Sequence, residues 1–215
     1  MGIIGGTGSG KSTLIQLLPG FYSPSSGSVL IYGKNSALYE KDELCALFGI
    51  VPQKAQLFKG TIRSNLLWGC ENADDEALWH ALEMAQAKSF VEEKPLGLDE
   101  PVLQGGKNLS GGQRQRLTIA RALLGAPKFL ILDDSASALD YATEAGLRSA
   151  LTHLPKNTTK FIVSQRTSSL MHADKILVLE DGEAVGFGTH EELLSSCQVY
   201  GEIYRSQFSE GGDSK

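Results

Sequence analysis

At 215 residues the chain has the length of one domain, with room for a subdomain, and enough material to bury a substantial core. With 41% hydrophobic and 21% charged residues it has an ordinary globular composition, and its net charge of −5 argues against a nucleic-acid-binding face, which would show as a basic excess. Apolar runs of only a few residues exclude a membrane-spanning helix, and the opening MGIIGGTGSGK lacks the basic start and long apolar core of a signal peptide.

Short β-rich apolar runs alternate with helix-like segments along the chain. Gly2–Gly5 predicts a strand that leads into a helix over Lys11–Leu18, and Ser28–Tyr32 and Phe48–Val51 predict two more strands. Helices are expected over Asp75–Ala87 and Gly112–Leu124, then a strand over Lys128–Leu132 and a helix over Ala142–Leu154. Strands over Lys160–Ser164, Lys175–Leu179 and Ala184–Phe187 precede a helix over His190–Ser196, which Thr189 and Glu192 open at capping-box spacing. Strand and helix in alternation imply an α/β fold with a mainly parallel sheet. Residues 56–126 read as a helical subdomain inserted into a core formed by 1–55 and 127–208, and the polar tail SEGGDSK, 209–215, as disordered. Cys45, Cys70 and Cys197 are odd in number and never paired as CxxC, and the four histidines show no metal-ligand spacing, so none is assigned chemistry.

Three stretches carry chemistry. Gly5-Gly6-Thr7-Gly8-Ser9-Gly10-Lys11-Ser12-Thr13 fits GxxxxGK[ST] between a strand and a helix. Its glycines let backbone N–H groups curl around phosphate oxygens, Lys11 can reach the β- and γ-phosphates, and the Ser12 hydroxyl can bind Mg²⁺. The run FLILDD ends a strand in Asp133, a carboxylate suited to supporting Mg²⁺ in such a site, with Asp134 directly after it. In LSGGQRQR, Leu109, Ser110, Gly111, Gly112 and Gln113 open a helix that offers a hydroxyl, N–H groups and the positive end of a dipole. Alone, that octapeptide is an ordinary serine N-cap.

With these motifs in this order, the chain resembles the ATP-binding domain of ABC transporters over nearly its whole length. The resemblance implies a P-loop NTPase fold with a RecA-like core, ATP and Mg²⁺ as ligands, and a head-to-tail dimer. In that dimer each ATP lies between one subunit's phosphate loop and the other's LSGGQ helix. It implies further that Gln53, in VPQ, contacts Mg²⁺ and the attacking water, and that Ser137 to Asp140, SALD, form the loop crossing the dimer interface. LFKGTIRSNL, GGKNLSGGQ and VGFGTHEELL look like the exporters, whose ATPase domain is fused behind a transmembrane domain at the cytoplasmic face of the plasma membrane. The family carries a strand pair and an adenine-stacking aromatic before the point where this chain starts, so the resemblance implies a truncated N-terminus.

Two positions depart from the family. Efficient hydrolases of this kind place glutamate at the position of Asp134 and histidine at that of Gln165. Losing one methylene withdraws a carboxylate by about 1.5 Å, and a misplacement of about 1 Å can cost on the order of 100-fold in rate. Gln165 can hydrogen-bond a γ-phosphate but cannot carry a histidine's positive charge. The pair is similar to the weak half of heterodimeric exporters, in which this chain's signature helix serves the partner's competent site. Gln104 is in keeping, since many homodimeric exporters have glutamate there. An importer ATPase subunit, a DNA-repair or translation clamp, and a regulatory module without turnover are the alternative readings.

Overall fold

The computed structural model describes residues 1–208, so the expected tail at 209–215 lies outside the described residues. The contacts divide the chain into two compact units, residues 1–45 with those from 160 onward, and residues 46–159.

The first unit begins with β1 (Gly2–Gly5), buried throughout. Helix α1 (Lys11–Leu17) follows the phosphate loop. Strands β2 (Leu30–Ile31) and β3 (Lys34–Asn35) form a small antiparallel ribbon. The strand expected over Ser28–Tyr32 is this short because Tyr32 and Gly33, at φ 51° and 79°, make a tight turn. Helix α2 (Lys41–Ala46) closes this arm.

In the second unit β4 (Phe48–Val51) is followed by β5 (Gly60–Thr61) and α3 (Ile62–Leu67). Thr61 caps α3 in a reciprocal box with Ser64, a variant of the usual Glu/Gln box that sequence patterning does not flag. Helix α4 (Asp75–Met84), capped by Asp74, stops short of the expected Ala87, because Gln86 adopts φ 57° and the chain restarts as α5 (Lys88–Glu92). Strand β6 (Pro101–Val102) pairs with β5, and α6 (Gly111–Leu124), β7 (Phe129–Asp133) and α7 (Tyr141–Thr152) complete the unit. Helices α4 and α6 lie against each other, with Leu78 and Leu82 of the former and Leu117, Ile119 and Ala120 of the latter all buried. Arg63 grips Asp75 and Asp99, its Nε 2.8 Å from the latter, and the guanidinium holds both carboxyls below their ordinary value. Strands β4 and β7 run parallel, and both group with the helices of 56–126. The reason is visible at Gly49, where a Cβ would fall 2.3 Å from the Ala122 carbonyl, so that α6 lies directly on β4.

The chain returns to the first unit through β8 (Thr159–Val163), β9 (Ile176–Glu180), β10 (Glu183–Gly188), α8 (His190–Ser196) and α9 (Gln198–Phe208). Strand β1 runs parallel to both β8 and β9, and β10 pairs antiparallel with β9, so the α/β fold with a mainly parallel sheet is as expected. The core beside it gathers Ile4, Leu170, Ile176, Val178, Leu193, Cys197 and Tyr200. Thr189 and Glu192 form the expected capping box.

Leu82 of α4 is at 0% exposure, so truncating it removes fully buried apolar volume. Leu82→Ala is expected to lower the unfolding free energy by about 2–5 kcal/mol in urea denaturation. Leu96→Ala, at a position 60% exposed, is expected to stay within about 0.5 kcal/mol of the parent.

Candidate functional site

The phosphate loop is built on a steric limit. Gly5 ends β1 opposite Leu179 of β9, and a Cβ there would stand 2.2 Å from the Leu179 carbonyl and 2.5 Å from Ser9 Oγ. Gly8 and Gly10 then take φ 83° and 91°, which L side chains rarely adopt. Gly6 is different: its φ is not positive, and a Cβ on it would meet nothing within 4 Å. Neither the fold nor the backbone demands glycine there, and the open space above it leaves the backbone accessible to a ligand. Ser9 and Lys11 are buried beneath the loop, while Gly6, Thr7, Gly8, Ser12 and Thr13 line its exposed rim. Lys11 Nζ donates to the carbonyls of Gly5 (2.8 Å) and Gly6 (2.6 Å) and to Ser9 Oγ (3.3 Å). A cation is thereby held under a rim of backbone amides, a suitable environment for an anion such as phosphate.

The turn between β9 and β10 adds a neighbour that the motif does not announce. Asp181 and Gly182 take φ 48° and 84°, and Gly182 Cα lies 3.7 Å from where a Cβ on Gly10 would be. The Asp-Gly pair between two apolar runs was the available signal.

Strand register places the other polar residues. In the first unit β1 and β8 pair Ile3 with Val163, and Ser164 N–H donates to the Ile3 carbonyl at 3.1 Å. Continuing that register two places sets Gln165 level with Gly5, so the loop and Gln165 leave the same carboxyl edge of neighbouring parallel strands. In the second unit Val51 pairs with Leu132. Extended in the same way, Gln53 and Asp133–Asp134 leave one carboxyl edge together. Ligands of open parallel sheets bind beyond such edges. Gln53 and Gln165 are exposed, Asp134 is half-buried, and Asp133 is 8% exposed.

Asp134 holds a surprise for the sequence reading. Its φ of 46° is left-handed, and its carbonyl accepts from the Ser137 N–H and hydroxyl. Aspartate is among the few non-glycine residues enriched in that conformation, so its presence here answers a backbone demand as well as any chemical one.

Ser110 is the N-cap of α6 in a capping box with Gln113, each backbone N–H answered by the other's side chain. Gly111 and Gly112 lie in the first turn, whose N–H groups lack intrahelical acceptors. Leu109 is buried, with its carbonyl 2.6 Å from Arg114 Nη1. A Cβ on Gly112 would lie 3.3 Å from the Ala138 carbonyl, which brings the SALD loop against the start of α6. Asp140 caps α7, and the backbone N–H of Thr143, aided by its hydroxyl, holds that carboxyl below its ordinary value.

Residues 1–137 match the family described as ABC transporter. The chain belongs to the ABC transporter family. It is 47% identical over 210 residues to "Uncharacterized ABC transporter ATP-binding protein YfiB" of Bacillus subtilis (strain 168), covering 98% of this chain and 36% of that protein. It is 44% identical over 204 residues to a Staphylococcus aureus (strain NCTC 8325 / PS 47) protein whose provisional name is multidrug export ATP-binding/permease protein, covering 95% of this chain and 35% of the other. A solved bacterial Atm1-family ABC exporter with ATP bound superposes with a TM-score of 0.93 at 36% identity, over 96% of this chain and 36% of that one. The chain thus spans about a third of the length of these relatives and corresponds to an ABC ATP-binding domain. No helix among the described residues is long and apolar enough to cross a membrane.

The two glycines that start the loop should separate under mutation. Gly5→Ala, pressed on the Leu179 carbonyl, is expected to destabilise the fold by about 1–3 kcal/mol or more. Gly6→Ala points its methyl into open space and is expected to leave stability within about 0.5 kcal/mol. It should nevertheless weaken ATP binding about tenfold, or roughly 1.4 kcal/mol, by equilibrium titration. Parent-like ATP affinity in Gly6→Ala would remove the ligand explanation of that glycine.

Proposed function

We propose that this chain is the ATP-binding domain of an ABC exporter, associated with a transmembrane domain at the cytoplasmic face of the plasma membrane. The observation that carries the reading is the superposition, over 96% of the chain, on an exporter with ATP bound. The provisional export and permease name of the Staphylococcus relative points the same way. On this reading the core is 1–55 with 127–208, and the helical subdomain is 56–126.

In this assignment the rim amides of Gly6 to Thr13 and the Lys11 ammonium bind the phosphates. Ser12, Asp133 and Gln53 would hold Mg²⁺, which when bound would supply neutralisation of phosphate charge. The donor set suits a hard cation, being a hydroxyl, a carboxylate and an amide oxygen. Gln165 contacts the γ-phosphate through its amide. Asp134 stands where a general base orients water, but its short, left-handed placement makes it a poor one. The chain then binds ATP firmly and cleaves it slowly.

The second part of the proposal concerns the partner, a second half-transporter in a head-to-tail heterodimer. Leu109 to Gln113, with Asp140 in the adjoining loop, serve the partner's nucleotide. The Ser110 oxygen accepts the cap bond from Gln113 N–H, which leaves its O–H to donate, beside the first-turn amides, to a phosphate oxygen. ATP turnover of the assembled transporter in lipid tests this asymmetry. Ser110→Arg is expected to remove most steady-state hydrolysis, and Asp134→Asn little of it. Loss of turnover in Asp134→Asn with normal turnover in Ser110→Arg would overturn the assignment of roles.

A further inference from the structure

The segment after β8 is held by a side chain that no motif includes. Gln207, in the last turn of α9, accepts at its Oε1 from the Thr167 backbone N–H and hydroxyl, each at 2.9 Å. Its Nε2 donates to the Gln165 carbonyl at 2.7 Å. A backbone N–H can only donate and a carbonyl can only accept, so this pattern admits one orientation of the amide. Thr167 is fully buried and Gln165 is exposed, so the clamp spans the point where the segment leaves the interior.

Helix α9 can reach this segment because Tyr200, Ile203 and Gln207 fall at i, i+3 and i+7, on one face. Tyr200 is fully buried, and it and Ile203 pack with Ile4, Leu170 and Ile176. Ile4 precedes Gly5 in β1, and Leu170 follows the clamped turn. One apolar cluster therefore fixes both the root of the phosphate loop and the helix that carries Gln207. Burial also pushes the Tyr200 hydroxyl up to about 12, and that hydroxyl pairs with His190 Nδ1 at 2.7 Å, which ties α9 to α8.

We propose that Gln207 is a positioning residue for Gln165. By pinning the Gln165 carbonyl and the Thr167 backbone, it sets where the exposed Gln165 amide stands beside the phosphate loop, without itself touching nucleotide. The consequence is discrimination of a nucleoside triphosphate from a diphosphate, because only the triphosphate places a γ-phosphate within reach of that amide. This rests on the reading of Gln165 as a γ-phosphate contact. An unpinned backbone would let the long side chain wander, and displacements of about 1 Å are enough to lose a hydrogen bond's geometry.

The test is equilibrium titration of the 215-residue chain with Mg²⁺·ATP and with Mg²⁺·ADP, for the parent, Gln207→Ala, Gln165→Ala and the double variant. Gln207→Ala is expected to weaken ATP about fivefold and ADP by less than about twofold. Gln165→Ala should show the same selective loss, and the double variant should lose no more than the larger single, since both act on one contact. Gln207→Glu keeps an acceptor for Thr167 but sets an anionic oxygen against the Gln165 carbonyl. It should reproduce the ATP-selective loss, and it carries the test if Gln207→Ala does not fold. Equal weakening of ATP and ADP, or additive losses in the double variant, would make Gln207 an ordinary structural support and overturn the proposal. A selective loss in Gln165→Ala with none in either Gln207 variant would overturn the proposal alone. No loss in Gln165→Ala would remove the γ-phosphate reading and the proposal with it.

Discussion

The contact on which the loop depends is the close approach of Gly5 to the Leu179 carbonyl, with no room for a methyl group between them. It ends β1 flush against β9, so the chain must turn at once, and the two left-handed glycines that follow let it do so. The turn brings Lys11 back under its own beginning, onto the Gly5 and Gly6 carbonyls. A buried ammonium carries a large desolvation cost unless its donors are answered, and the loop's own carbonyls contribute to that. Lys11 thus secures the curl of the loop. The residues that hold the loop's shape are thus the ones its motif assigns to phosphate.

Much of the fold could be read from the chain, because buried parallel strands are continuous apolar runs and announce themselves. Gly2–Gly5 and Phe48–Val51 are found where the residues put them, and His190–Ser196 carries its capping box in plain sequence. Other elements were hidden for physical reasons. Helix α3 is capped by Thr61 and Ser64, a pair with no acidic residue to mark it. Helix α9 carries Gly201 near its start and mixes polar with apolar residues, so its apolar face of Tyr200 and Ile203 is easily overlooked. Missing α9 also meant missing Gln207. The end of α4 at Gln86 depends on a left-handed backbone at a residue whose type does not call for it.

The site was legible in kind but not in conformation. Lys11, Asp133 and the LSGGQ helix all stand at element ends where their motifs place them. The sequence could not show that Asp134 is left-handed, because aspartate serves equally as a shortened base and as a residue suited to that backbone. The Ser110 cap is the one its sequence offered, whereas the Asp140 cap on α7 was not read from the chain. A residue can hold its own helix start and still line a ligand surface, and the Ser110 hydroxyl can do both, because the cap uses its oxygen as an acceptor and leaves its proton to donate.

The central claim is that this chain's own ligand binds the loop that Lys11 secures, while its signature helix waits for another nucleotide. At 23.1 kDa the chain suits backbone amide NMR, which can follow each N–H separately as Mg²⁺·ATP is added. The account predicts that the largest shifts fall on Gly6, Gly8, Gly10 and Lys11, and that Lys11→Ala abolishes them. Gly111 and Gly112 should scarcely move. Shifts concentrated at Ser110–Gly112, or a loop response that survives Lys11→Ala, would contradict it.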